Sequence, residues 1–256
     1  MDWSFFMGSD KVIQIKNLNV FYKNHKKSPL SKDRKVHVLK GVDLDVYEGE
    51  ILGLAGESGC GKSTLAKAIV GMNKDFTGEI IQKYQDAQMV FQDPYSSLNP
   101  SKKIGWLLAE PLKVDKTKKW TKEEIDAKVK EIIKAIGLTE NMLGRYPDQL
   151  SGGQRQRVSI GVALMRSPKV LIADEPVSAL DVTIQAQILE LLQNLHKEYG
   201  ITILFISHDL RVIYQICDHV AVMRGGIIEE YGAPKEVYKN PKCDYTKELL
   251  VSAGIK

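Results

Sequence analysis

The chain has 256 residues, 43% apolar and 27% charged, enough to bury a sizeable core in one or two domains. Its 36 basic and 32 acidic side chains leave a net charge of +4, too balanced to argue for nucleic acid by itself. No apolar run approaches the ~20 residues of a membrane span. Three scattered cysteines, Cys60, Cys217 and Cys243, point to a reducing compartment and away from a zinc site.

Met1 to Phe6 carries Asp2 and lacks the basic start of a signal peptide. Val12 to Val20, VIQIKNLNV, alternates apolar and polar residues, the period of a half-buried strand. Phe21 and Tyr22 close it; an aromatic there can stack on a nucleotide base or pack along the edge. Lys23 to Lys35 is rich in lysine and reads as a solvated loop. Val36 to Val46 alternates again. Together these strands predict an antiparallel flank.

Ile51 to Ala55 is short and apolar, like a buried strand, and leads into Gly56–Thr64, GESGCGKST. This matches the phosphate-loop pattern G-x-x-x-x-G-K-[ST] at Gly56, Gly61, Lys62 and Ser63. Leu65, Ala66, Ala68, Ile69 and Val70 then read as a helix ending near Gly71. In that context the glycines let the backbone curl its N–H groups toward phosphate oxygens. The helix dipole adds positive charge at the same point. Lys62 suits the β- and γ-phosphates, and the Ser63 hydroxyl suits Mg²⁺. The candidate nucleotide-binding set is Gly56, Glu57, Ser58, Gly59, Cys60, Gly61, Lys62, Ser63 and Thr64.

Thr77–Ile81 and Gln88–Phe91 read as two more strands, the second ended by Gln92-Asp93-Pro94. Gln92 stands where α/β proteins place ligand-touching groups, although a polar turn residue would look the same. Ser96–Ser101 reads as loop. Thr121-Lys122-Glu123-Glu124 is a capping box that opens a helix with Ile125, Val129, Ile132, Ile133 and Ile136 on one face. No strand pattern interrupts this block, which predicts an inserted helical subdomain. Leu150–Arg157, LSGGQRQR, puts a hydroxyl and two glycines at a helix start. That is a second anion site, surplus to the needs of one nucleotide.

Val170–Ala173 is a buried strand ending in Asp174-Glu175. After a full phosphate loop, Asp174 is a candidate Mg²⁺ ligand and Glu175 a candidate to polarise the attacking water. Ser178–Asp181, SALD, leads into a helix closed by Gly200. Ile201–Ile206 is a further core strand with Ser207-His208-Asp209 at its end. There His208 can reach a γ-phosphate or serve structure alone. Val220–Met223 and Ile227–Glu230 flank a closing hairpin turn. Pro234 starts a short helix, and a last helical piece follows around Tyr245–Val251.

In this order, the residues resemble the nucleotide-binding subunit of an ATP-binding cassette transporter over nearly the whole chain. LSGGQ at Leu150–Gln154 is the stretch specific to that superfamily. A finer resemblance, to the shorter ATPase subunit of the peptide and nickel importer branch, rests on four stretches. They are VFQDPYSSLNP at Val90–Pro100, YPDQLSGGQRQRV at Tyr146–Val158, DEPVSALDVTIQAQIL at Asp174–Leu189 and NPKCDYTKELL at Asn240–Leu250.

The resemblance implies an α/β fold: a P-loop NTPase (RecA-like) core, an antiparallel β flank and an inserted α-helical subdomain. The single cassette domain spans 1–256, with core and flank at 12–98 and 166–232, the helical subdomain at 99–165 and a C-terminal extension at 233–256. It implies ATP and Mg²⁺ as cofactors, Tyr22 on the adenine, and Ser63, Gln92 and Asp174 at the metal. Glu175 is then the general base, with His208 on the γ-phosphate and Gln92 touching metal and water. Ser151, Gly152, Gly153 and Gln154 serve the nucleotide of a second, head-to-tail cassette, expected to be a related heterologous subunit. The implied partners also include two membrane permeases, one placing a short helix near Asp93–Pro100, and indirectly an extracellular binding protein, but no nucleic acid. The expected place is the cytoplasmic face of a bacterial or archaeal membrane. Cargo stays open between peptides and nickel or other metal chelates. The competing functions are a cassette of another transporter, for amino acids, metals or export, and a soluble ATP-gated switch.

Overall fold

The computed structural model describes residues 10–23, 35–178 and 180–255. The readings for Met1–Phe6 and for most of the lysine-rich stretch after Lys23 fall outside these residues. The chain divides into two units, one built from residues up to Gln85 and from Thr202 onward, the other from Asp86 to Ile201.

The first unit opens with β1 (Lys11–Lys23) and β2 (Lys35–Tyr47). They pair antiparallel, and β1 takes β4 (Phe76–Gln82) on its other edge, giving the order β2-β1-β4. Alternation put Val12, Ile13, Ile15, Leu18 and Val20 in the core, but not on one strict face. Register shifts in the β1–β2 ladder let Val12 and Ile13 both be buried. Between β2 and β4 lie β3 (Ile51–Ala55) and α1 (Lys62–Ile69).

The second unit starts with β5 (Gln88–Val90), parallel to β6 (Val170–Asp174). Between them run α2 (Pro94–Ser97), α3 (Ile104–Lys113), α4 (Lys122–Ala135) and α5 (Gly152–Leu164). The stretch read as loop from Ser96 therefore begins inside one helical turn. Asp93 caps that turn by accepting from Tyr95 N at 2.8 Å, and Pro94 stands at its first position. Thr121 and Glu124 make the reciprocal capping box at the head of α4. The face of α4 bearing Val129, Ile132 and Ile133 is buried, and α3 and α5 pack beside it. Gly161 permits the close approach: a Cβ there would lie 2.9 Å from Ile136 and 3.0 Å from Leu108. α6 (Val182–Tyr199) follows β6, capped by Asp181 and ended by Gly200 at φ 61°.

The first unit resumes with β7 (Thr202–Ser207), α7 (Leu210–Ile216), β8 (His219–Arg224), β9 (Ile227–Gly232), α8 (Pro234–Lys239) and α9 (Asp244–Ser252). Here β3 lies between β7 and β8, parallel to both, and β9 closes the edge antiparallel to β8. A strand covered on both faces reads as a continuous apolar run, and β3 and β7 are buried at every position. The register pairs Ala55 with Ser207 and with Val222. The phosphate-loop segment, His208 and Met223-Arg224 therefore lie at the same end of these strands.

Candidate functional site

Gly56, Gly59 and Gly61 have φ of 147°, 82° and 117°, a left-handed run that only glycine adopts freely. At Gly56 the space is closed as well, since a Cβ would lie 2.2 Å from the Met223 carbonyl oxygen. The loop thus curls over the end of β8. Glu57, Ser58 and Gly59 face solvent, while Cys60, Gly61 and Lys62 are buried. Lys62 Nζ donates to Gly56 O at 2.6 Å and Glu57 O at 2.9 Å, and stands 3.9 Å from Cys60 Sγ. Sulfur is a weak acceptor that a phosphate oxygen outcompetes. Burial pushes the Cys60 thiol up, with Lys62 pulling the other way. Ser63 and Thr64 follow in the first turn of α1, partly exposed.

His208 lies one residue beyond the end of β7 and is exposed. Of the two aromatics closing β1, Phe21 stacks on His37 with centroids 4.2 Å apart. Tyr22 is 42% exposed and receives a 3.4 Å hydrogen bond from Asn73 Nδ2.

The second unit carries the carboxylates. Asp174 is 4% exposed at the end of β6. Glu175 follows at φ 47°, left-handed and not glycine. Such backbone costs about 1–3 kcal/mol and gathers at functional sites. Gln92 Nε2 donates to Glu175 Oε2 at 3.0 Å, across 83 residues of chain. This leaves the Gln92 amide oxygen as its acceptor.

At the head of α5, Ser151 Oγ accepts from Gln154 N at 3.3 Å and Gln154 Oε1 accepts from Ser151 N at 3.0 Å. Both side chains therefore complete the cap, and the exposed helix tip offers the N–H of Gly152 as well. Gly153 is buried, where a Cβ would lie 2.4 Å from Ile184 Cγ2.

The family model for ABC transporters matches residues 39–178, more than half of the chain. The oligopeptide transport ATP-binding protein OppF of Haemophilus influenzae is 42% identical over 261 residues, 95% of this chain and 78% of its own length. The chain belongs to the ABC transporter family. OppF of Escherichia coli is also 42% identical, over 97% of this chain and 79% of its own length. The fold is that of an ABC ATP-binding cassette, a RecA-like P-loop NTPase core with added helices. It superimposes on the dimeric, post-hydrolysis structure of the cassette MJ0796 bound to ADP and Pi, with a TM-score of 0.74 and 28% identity. That match covers 87% of this chain and 98% of the other.

Three features of this ABC subunit had no signal in the linear pattern. One is the left-handed Glu175. Another is the packing role of Gly153. The third is Arg155, 7% exposed, whose guanidinium lies 3.7 Å over the Tyr95 ring and donates to Pro147 O at 3.1 Å. QRQR reads as a polar helix turn until α2 and α5 are known to pack together. Among the described residues no cluster of three or more His, Cys, Asp or Glu could hold a metal, and no helix is long and apolar enough to cross a membrane.

Proposed function

We propose that this chain is the ATP-hydrolysing subunit that energises import of peptides, working from the cytoplasmic face beside two permease subunits. Peptide cargo over nickel or other chelates is favoured by the relatives, which are named for oligopeptide transport. The observation that carries the hydrolytic reading is the Gln92–Glu175 hydrogen bond on a left-handed Glu175. An amide from a separate strand end holds the carboxylate oriented for a water, instead of leaving it a loose surface charge. In this reading the amides of Gly56–Thr64 and Lys62 hold the phosphates, Tyr22 takes the adenine and His208 contacts the γ-phosphate. Tyr22 fits better than Phe21, which already stacks one of its faces on His37.

Magnesium, when bound, neutralises charge on the β- and γ-phosphates. The Ser63 hydroxyl, the Asp174 carboxylate and the Gln92 amide oxygen are hard oxygen donors of the kind it takes. One carboxylate alongside substrate phosphates is an ordinary magnesium environment. The tip of α5, with Ser151, Gly152, Gly153 and Gln154, serves the nucleotide of a second cassette, packed head to tail. Catalysis then consists of positioning and charge neutralisation, with little covalent work for the protein.

The test is Glu175→Gln in the complex assembled with permeases and the second cassette. ATP turnover should fall by about 10²-fold or more, the scale of a lost general base, while ATP binding persists. Turnover at the wild-type rate would remove Glu175 from that role.

A further inference from the structure

We infer that Tyr245, in the C-terminal helix, is a positioning residue for the phosphate loop, so that docking of this tail sets nucleotide affinity. The inference rests on Gly56–Thr64 being the phosphate cradle. The tail motif NPKCDYTKELL, Asn240–Leu250, has no task in the hydrolytic scheme, yet its tyrosine is 2% exposed. The Tyr245 hydroxyl accepts a 3.1 Å hydrogen bond from the Glu57 backbone N–H, 188 residues away. The Glu57 carbonyl, on the same residue, accepts from Lys62 Nζ at 2.9 Å. Glu57 is therefore gripped at both backbone groups, by the tail and by the phosphate-seeking lysine.

The tyrosine is itself held from two sides. The Arg224 guanidinium stands over its ring, 4.6 Å from the centroid. One step before α9, Glu230, 5% exposed, accepts from Lys242 N at 2.9 Å and Cys243 N at 3.2 Å, tying the tail to β9. β8 and β9 thus fix the tail, and the tail fixes the loop. Next to Glu57, Gly56 lies against Met223 O, so the entrance to the loop is bounded by β8 and α9 together. A glycine-rich loop free to move must be ordered when it takes phosphate, which weakens binding; a loop held in shape beforehand avoids that loss.

The test is Tyr245→Phe in the full chain, which keeps the ring under Arg224 and deletes only the acceptor oxygen. Binding of a nonhydrolysable ATP analogue with magnesium should weaken about fivefold, the factor of one ordinary neutral hydrogen bond. Amide hydrogen exchange should quicken at Glu57 by a similar factor, while the urea unfolding midpoint falls by no more than the loss of that one hydrogen bond accounts for. Wild-type affinity in Tyr245→Phe overturns the inference. So does an affinity loss that only follows a lowered midpoint, with exchange at Glu57 quickened no more than at amides remote from Tyr245. Lys62→Ala separates this from the cradle reading. If Lys62→Ala binds nucleotide normally, the cradle itself is wrong; if it loses binding while Tyr245→Phe is inert, only the role of the tail is wrong.

Discussion

Adding one methyl group at Gly153 sets two opposing effects against each other. Alanine is favoured over glycine in a helix by at most about 1 kcal/mol, and less in a first turn. Against that, the new Cβ would sit 2.4 Å from Ile184 Cγ2, where carbon atoms rest at about 3.5–4.0 Å. Ile184 is β-branched and stands on α6, so its χ1 has one well-populated state and cannot turn aside cheaply. Leaving that rotamer costs about 0.5–1.5 kcal/mol, and overpacking a close contact about 1–3 kcal/mol. Gly153→Ala should therefore be destabilising by about 1–2 kcal/mol net, read as a lowered urea midpoint. Gly152→Ala is the matched control. Its Cβ would meet only Leu180 Cδ2, at an ordinary 3.6 Å, so stability should hold within about 0.5 kcal/mol. Both glycines belong to one motif, but only the second is required by packing within this chain. A Gly153→Ala protein as stable as wild type, or more so, would refute the α5–α6 contact on which this rests.

Arg155→Ala removes the cation over Tyr95 and leaves the Pro147 carbonyl without its donor, for a loss of about 2–4 kcal/mol in urea unfolding; a loss below about 1 kcal/mol would mean that this bridge is not made. The Cys60 thiol is raised by burial, so thiolate is scarce at neutral pH and alkylation should be slow. Its rate should still be climbing above pH 9, and saturating ATP should protect it; an alkylation rate indifferent to ATP would place Cys60 away from bound phosphate. Asp115 is held down to about 2 by the Thr117 hydroxyl and backbone N–H and by Trp120. A depressed carboxylate stabilises above its unfolded pKa and loses that effect as pH falls toward 2. Trp120 fluorescence should thus change in a step centred near pH 2, and Asp115→Asn should abolish that step.

Local chemistry made much of this protein readable without coordinates. The proposed phosphate loop is contiguous, and the positive φ of Gly56, Gly59 and Gly61 sets its backbone shape within a few residues. The Thr121 and Asp181 caps and the apolar runs of β3, β6 and β7 are short-range too. Helices such as α3, which carries Pro111 in its last turn, were harder to read because the pattern there is broken by a residue that ordinarily ends a helix. Even so, the inserted block was visible as a stretch without strand periodicity.

What the chain alone determined was the set of candidates for binding phosphate, carrying a proton or holding a hard cation, because those capacities belong to residue type and to neighbours in sequence. Tertiary structure decided which of them are already engaged. One face of Phe21 is taken by His37, whereas Tyr22 makes only an edge hydrogen bond through its hydroxyl; Gln92 reaches Glu175; Gly153 is claimed by Ile184; Tyr245 holds Glu57. Each such pairing, apart from the first, spans from about thirty to nearly two hundred residues. No periodicity or cap rule reaches that far: these contacts exist only because strands and helices distant in sequence pack side by side.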